Sequence, residues 1–400
     1  MKWPSGEGIH SGVFPEGEAG DNRLIQYILV YLQVGKNADN YWQSGETAYS
    51  ILRQELLYET DKSKLLQEWL QAIQEMCVQL KHLNDCILGS EPSVMNPSPI
   101  CNGRTIKDDY DIIIRSLGLS PRSIAVMLRF RAMYSREWHE SFPMKCINCP
   151  DSPKPLSDHL NQIRGGTKNS EIYKLIDNLE TQIASFDAQI HPYHFECSML
   201  QVVERMELLI WKRYDPRGTF KDKWNAVFGN SAFTAHDAVV AWYSWYYTEC
   251  DFPRFIQDNE HEPTFRYILG EYESYINGGI NIHFDNDLTL EHIFPKNPNP
   301  KPPPNFGFGT NPNDYDRFIN RVGNLTFVYQ NESLSNATPD IKAHRYVQSV
   351  DGISKFQPAM TRQIGSQLIP LTTDYSAYRD ALRVRCTEMA LFSLKRFFFR

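Results

Sequence analysis

The most restrictive feature of this chain is a short apolar run that stops on a charged pair. Asp287-Leu288-Thr289-Leu290-Glu291-His292-Ile293 has the composition of a short strand, and Pro295 prevents simple continuation of a central strand. Adjacent residues on a strand point to opposite faces, so Glu291 and His292 can do different jobs. Residues 296–313 hold six prolines and seven asparagines or glycines, which predicts a long loop of the kind that is often functional. Arg317–Val322 leads into a second apolar run, Asn324–Tyr329. Asn331 and Asn336 follow, and a helix is predicted near 339–349. Strand, loop, strand, helix is a ββα unit, set at about 281–350.

The rest of the chain is patterned as helix. Asp21 is placed to cap a helix carrying Leu24, Ile25, Ile28, Leu29 and Leu32. Helices are predicted near 45–58 and 62–88, the latter with Leu65, Leu66, Trp69, Leu70, Ile73 and Met76 at helical spacing. Further helices are predicted over Tyr110–Leu117, Ser120–Tyr134, Glu171–Ala188, Ser198–Trp211, Ser231–Glu249, Thr264–Tyr275 and Ala377–Arg396. Proline and glycine mark 90–104 and 141–168 as loops. The organisation expected is a linker or ragged start over 1–20, a helical domain over 21–190, and a second domain over 191–400. That second domain would contain the ββα unit and a terminal helix at 377–396. The fold class is therefore mainly α with a small inserted ββα unit.

Composition narrows the function classes. The net charge of -7 counts against a stand-alone nucleic-acid binder, which usually needs cations to neutralise phosphate. It counts less against a metal-loaded enzyme, because a divalent cation adds local positive charge. Met1 to Gly8 lacks the apolar stretch of a signal peptide, and no run reaches the length of a membrane span. The expected location is cytoplasmic, with no membrane partner. Eight scattered cysteines suit reduced thiols better than a disulfide framework.

Hydrolysis of a phosphodiester asks for the residue types in the ββα unit: a base to deprotonate water and a cation to offset charge on phosphate and leaving oxygen. A neutral imidazole suits the first task, and magnesium accepts oxygen donors from carboxylate and amide. The segment resembles the C-terminal HNH (ββα-metal, or His-Me finger) nuclease domain of the GmrSD family of modification-dependent restriction enzymes. The resemblance is carried by Glu291-His292-Ile293-Phe294-Pro295, Gly323-Asn324-Leu325-Thr326, Asn331-Glu332-Ser333-Leu334-Ser335-Asn336, Lys342 and Tyr346. It implies His292 as general base and Glu291 as metal ligand. Asn324 would orient the histidine or brace the two strands. Asn331 would be the third signature residue and a metal ligand, with Asn336 as the competing choice. Lys342 would face substrate phosphate or a structural carboxylate. The implied cofactor is Mg2+ or Mn2+, one per finger, and the implied substrate is DNA, with RNA as the rival polymer. One departure is Ala337-Thr338-Pro339, where a bulky apolar residue is expected before the lysine.

Around Asp21 to Tyr27 and Tyr41-Trp42 the chain resembles the segment that follows an NTP-dependent ParB-like domain in that family. The expectation is the nuclease half of a split system, or a truncated product, with a ParB-like protein as partner. A homodimer is one route to cutting both strands. The competing function is a catalytically degenerate helical interaction subunit. Outside the finger, Cys146 and Cys149 form a CxxC that could bind zinc with His194 and Cys197, but a loop with two free thiols is the favoured reading. Trp242, Tyr243, Trp245, Tyr246 and Tyr247 read as packed core before they read as a base-stacking surface. Arg122, Arg129, Arg131, Arg136 and Lys145 read equally as a solvated helix face or a phosphate-tracking patch.

Overall fold

The computed structural model describes residues 18–32, 45–101, 103–135, 153–185, 195–210, 220–248, 262–308, 312–330, 334, 336–350 and 355–397. In chain order the helices are α1 Glu18–Leu32, α2 Gly45–Tyr58, α3 Lys62–Leu88, α4 Ile106–Asp111, α5 Pro121–Tyr134, α6 Pro153–Gly166, α7 Ser170–Ala184 and α8 Phe195–Ile210. Then come α9 Phe220–Phe228, α10 Ala235–Thr248, α11 Glu262–Ile276 and strand β1 Leu288–His292. The series ends with α12 Pro312–Ile319, strand β2 Leu325–Tyr329, α13 Pro339–Tyr346, α14 Ala359–Leu368 and α15 Tyr375–Phe397. Among the described residues no helix is long and apolar enough to cross a membrane.

Two compact units result, and they interleave along the sequence. One holds Met1–Ile100, Arg104–Met144 and His191–Cys250; the other holds Cys101–Gly103, Lys145–Ile190 and Asp251–Arg400. The division expected at residue 190 follows chain order, whereas these packing units do not. The difference comes from α6 and α7, which pack on α15. Helix α6 also lies inside the predicted 141–168 loop. Its prolines fall in the first turn, where a missing N–H costs nothing. Leu156, Leu160 and Ile163 then repeat at helical spacing and are all buried, each contributing about 1.5–3 kcal/mol.

The first unit is built around α5. Ser120 caps it by accepting from the Ser123 N–H, and Pro121 takes the first helical position. Ile124 to Leu128 and Phe130 are all buried, against α1, α3, α8 and α10. Trp242 packs edge-on to Phe130 at 6.3 Å and on Phe228 at 5.3 Å, so it belongs to the core. The side chains of Tyr243, Trp245, Tyr246 and Tyr247 lie outside the described residues. The arginines of α5 form neither a solvated face nor a patch. Arg122 is buried over the Phe220 ring, Arg129 pairs with Glu75 at 2.8 Å, and Arg131 pairs with Glu196 at 2.5 Å. Arg136 and Lys145 lie outside the described residues. Glu207 of α8 closes the start of α5, accepting from the Ser120 N–H at 2.8 Å and the Ser123 hydroxyl at 2.6 Å.

In the second unit α15 is buried along most of its length. Its Arg396 donates to Glu271 of α11 at 2.7 Å, and the same carboxylate holds His283 at 2.8 Å. The two strands pair antiparallel, from Leu288 opposite Tyr329 to His292 opposite Leu325. The far edge of β2 does not stay open. Gln357 exchanges hydrogen bonds with Tyr329, and the Thr361 hydroxyl donates to the Phe327 carbonyl at 2.5 Å. Pro339 at the first position starts α13, so the helix forms despite Ala337-Thr338-Pro339.

Candidate functional site

Every described part of the finger is tied down from a different direction. Gly323 turns the chain into β2 against α15. A Cβ there would sit 2.4 Å from both the Cys386 sulfur and the Leu382 carbonyl oxygen, so only glycine fits. Arg385 then donates to the Gly323 carbonyl at 2.8 Å and the Leu325 carbonyl at 2.7 Å. Asn324 follows, fully buried, and its amide bridges the end of β1. Its oxygen accepts from the Phe294 N–H at 2.8 Å, and its nitrogen donates to the Phe294 and Ile319 carbonyls at 3.2 and 2.9 Å. Of the two roles open to Asn324 from the motif, this geometry matches bracing; its hydrogen bonds go to backbone, and none goes to His292.

The long loop is anchored by rings. Phe294 meets Phe306 at 5.1 Å and Phe318 at 5.3 Å, both edge-on. The Tyr315 hydroxyl donates to the Pro295 carbonyl at 2.6 Å. The backbone immediately after His292 is therefore held on both sides.

Glu291 and His292 separate as strand alternation requires. Glu291 is 4% exposed and forms an ion pair with the Lys342 ammonium of α13, which is fully sealed from solvent. Lys342 also donates to the His292 carbonyl at 2.7 Å. Lys342 thus meets the Glu291 carboxylate, with its ammonium sealed from solvent. The Tyr346 hydroxyl is buried one turn further along, with no hydrogen-bond partner among the described residues. His292 is a partly exposed residue with no side-chain hydrogen bond among the described residues. Burial, then the charges of Lys296 and Lys342, push its imidazole down to about 4. A ring so placed is neutral at physiological pH and carries one nitrogen lone pair able to accept a proton.

Asn336 is described and exposed, and Asn331 lies outside the described residues. Cys146, Cys149 and His194 also lie outside them, while Cys197 is buried with its thiol pushed up by desolvation. Among the described residues no three His, Cys, Asp or Glu side chains gather as a metal cluster. The donors suggested for a divalent cation are the Glu291 carboxylate and an asparagine oxygen. These are hard oxygen donors of the type magnesium takes. A carboxylate has lone-pair sites for more than one partner, so Glu291 suits such an ion while shared with Lys342.

Two antiparallel strands, a long loop, a following helix and a histidine at the first strand's end define a ββα finger. Residues 248–379 match the family model described as GmrSD restriction endonucleases, C-terminal domain. The motifs quoted above fall inside that stretch, which contains the whole finger. No curated protein and no solved structure matches the chain. The matched domain is the C-terminal domain of restriction endonucleases, so this stretch is similar to part of such an enzyme.

Proposed function

We propose that the chain is a divalent-metal-dependent endonuclease that hydrolyses DNA phosphodiester bonds, in restriction of foreign or modified DNA. The observation that carries this reading is His292. It ends β1 inside the family match, it is partly exposed with its imidazole held neutral, and its backbone is clamped by Lys342 and by the Asn324-braced loop.

In this reading the neutral imidazole takes a proton from water, the resulting oxygen nucleophile attacks phosphorus, and the P–O bond to the departing deoxyribose oxygen breaks, that oxygen taking its proton from solvent water. The proton then resides on His292, a partly exposed residue. Glu291 with an oxygen of Asn331 or Asn336 would hold Mg2+ or Mn2+, which supplies charge neutralisation at phosphate and leaving oxygen when bound. Asn324 acts through the backbone, as a positioning residue. The buried Lys342 holds the carboxylate and the His292 carbonyl in fixed relation.

The test is plasmid DNA incubated with magnesium or manganese, using wild type and His292→Ala. Wild type is expected to nick or cut, and the variant to be slower by about 10²–10⁴-fold. Equal activity in both, or inertness in both across several DNA substrates, would favour the degenerate interaction subunit. Parallel digestion of RNA decides between the polymers.

A further inference from the structure

Two lysines bear on His292: Lys342 donates to its carbonyl at 2.7 Å, and Lys296 sits four residues further along the anchored loop. They differ in what else they can touch. Lys342 is fully buried, paired with Glu291 and bonded to the His292 carbonyl. Drawing it out toward a ligand would leave a buried carboxylate uncompensated. Lys296 is exposed and lies four residues past His292, on the first loop residue after buried Pro295. It has no ion pair or hydrogen bond among the described residues. Three other cations of this unit are engaged, Lys301 with Asp316 at 2.7 Å, Lys355 over the Tyr329 ring, and Arg266 on the Leu288 carbonyl, while the exposed Arg317 and Arg345 stand on α12 and α13 and not on this loop. The loop under Lys296 is nonetheless fixed, by the Tyr315 hydroxyl on the Pro295 carbonyl and by Asn324 on Phe294. An unengaged cation on a fixed base, four residues from the partly exposed His292, is arranged to meet an anion.

We infer that Lys296, and not the motif lysine Lys342, is the residue that contacts the substrate phosphate beside His292. The inference rests on the nuclease reading above and adds the phosphate contact to it. A lysine serves here as a point charge, neutralising one phosphate of the DNA and releasing its counterion.

The experiment measures binding of a fluorescein-labelled DNA duplex by anisotropy, across a potassium chloride series with EDTA to prevent cleavage. The proteins are wild type, Lys296→Gln, Lys296→Arg and Lys342→Met, each with a thermal melt and a magnesium cleavage assay. Lys296→Gln is expected to make the slope of log affinity against log salt shallower by about 0.9, weaken binding and leave the melting temperature unchanged. Lys296→Arg retains the slope, because it retains the charge. Lys342→Met lowers the melting temperature and leaves the slope of the folded protein unchanged. A Lys296→Gln slope equal to wild type overturns the inference, as does a Lys342→Met protein that melts normally and loses slope. Should Lys342→Met fail to fold, the two Lys296 variants decide alone. A wild type that neither binds nor cuts DNA overturns the nuclease reading itself, and the assignment with it.

Discussion

Lys342 and Glu291 stand 51 residues apart, yet they make the most demanding contact of the finger. A buried ion pair is costly to form and more costly to break on one side only, by about 3–5 kcal/mol. Lys342→Met should therefore lower the urea midpoint strongly. The double variant Glu291→Gln with Lys342→Met should recover much of that loss, since neither leaves a bare charge. A double variant as unstable as Lys342→Met alone would show that the pair is not the source. This contact could not be read from the chain, because the motif leaves Lys342 with two partners and only the packing of α13 under β1 selects one. The place of His292 at a strand end was legible from the apolar run before it, whereas its proposed role leans on the asparagine series after the second strand. Lys296 left only a weak trace, a lysine directly after His-x-x-Pro.

At the scale of elements, the turn into β2 depends on two neighbours with different physics. Gly323 answers to space and Asn324 to hydrogen bonding. Asn324→Asp should destabilise more than Asn324→Ala, because a carboxylate would face the Phe294 and Ile319 carbonyls in place of two donated bonds. Each buried group left unsatisfied costs about 1–3 kcal/mol, so thermal melts of the two variants resolve the order. Aspartate melting above alanine would contradict the bracing role. The start of α5 offers a pH test. Burial pushes the Glu207 carboxyl up, despite hydrogen bonds from Ser123 and Ser120 that lower it. A carboxyl raised on folding contributes stability that is complete below its unfolded value of about 4.3 and lost as pH rises through its folded value. Glu207→Gln keeps an acceptor and drops the charge. Its urea midpoint should match or exceed wild type at neutral pH, with no advantage in acid. A neutral-pH midpoint well below wild type would contradict this. Strands and most helices were readable from periodicity, but α6 was not, because its first-turn prolines resemble loop punctuation. Neither were α9, α12 and α14, which are short.

Over the whole molecule, the finger belongs to a unit whose core helix, α15, also gathers α6 and α7 from earlier in the chain. Local patterns cannot announce such interleaving, since it depends on which apolar faces meet. One finger supplies one base, so supercoiled plasmid should pass through the open circle before linear product accumulates, as gel analysis of a time course would show. Linear product from the first time point, with no open circle, would require paired fingers. The central claim is that the His292 imidazole removes the proton from the attacking water. The most direct measurement is plasmid cleavage by His292→Gly in magnesium, with and without added imidazole. The variant should be inactive alone and recover cleavage in proportion to imidazole, while wild type is unaffected. A His292→Gly protein that folds, binds DNA and cuts at the wild-type rate without imidazole would contradict the account.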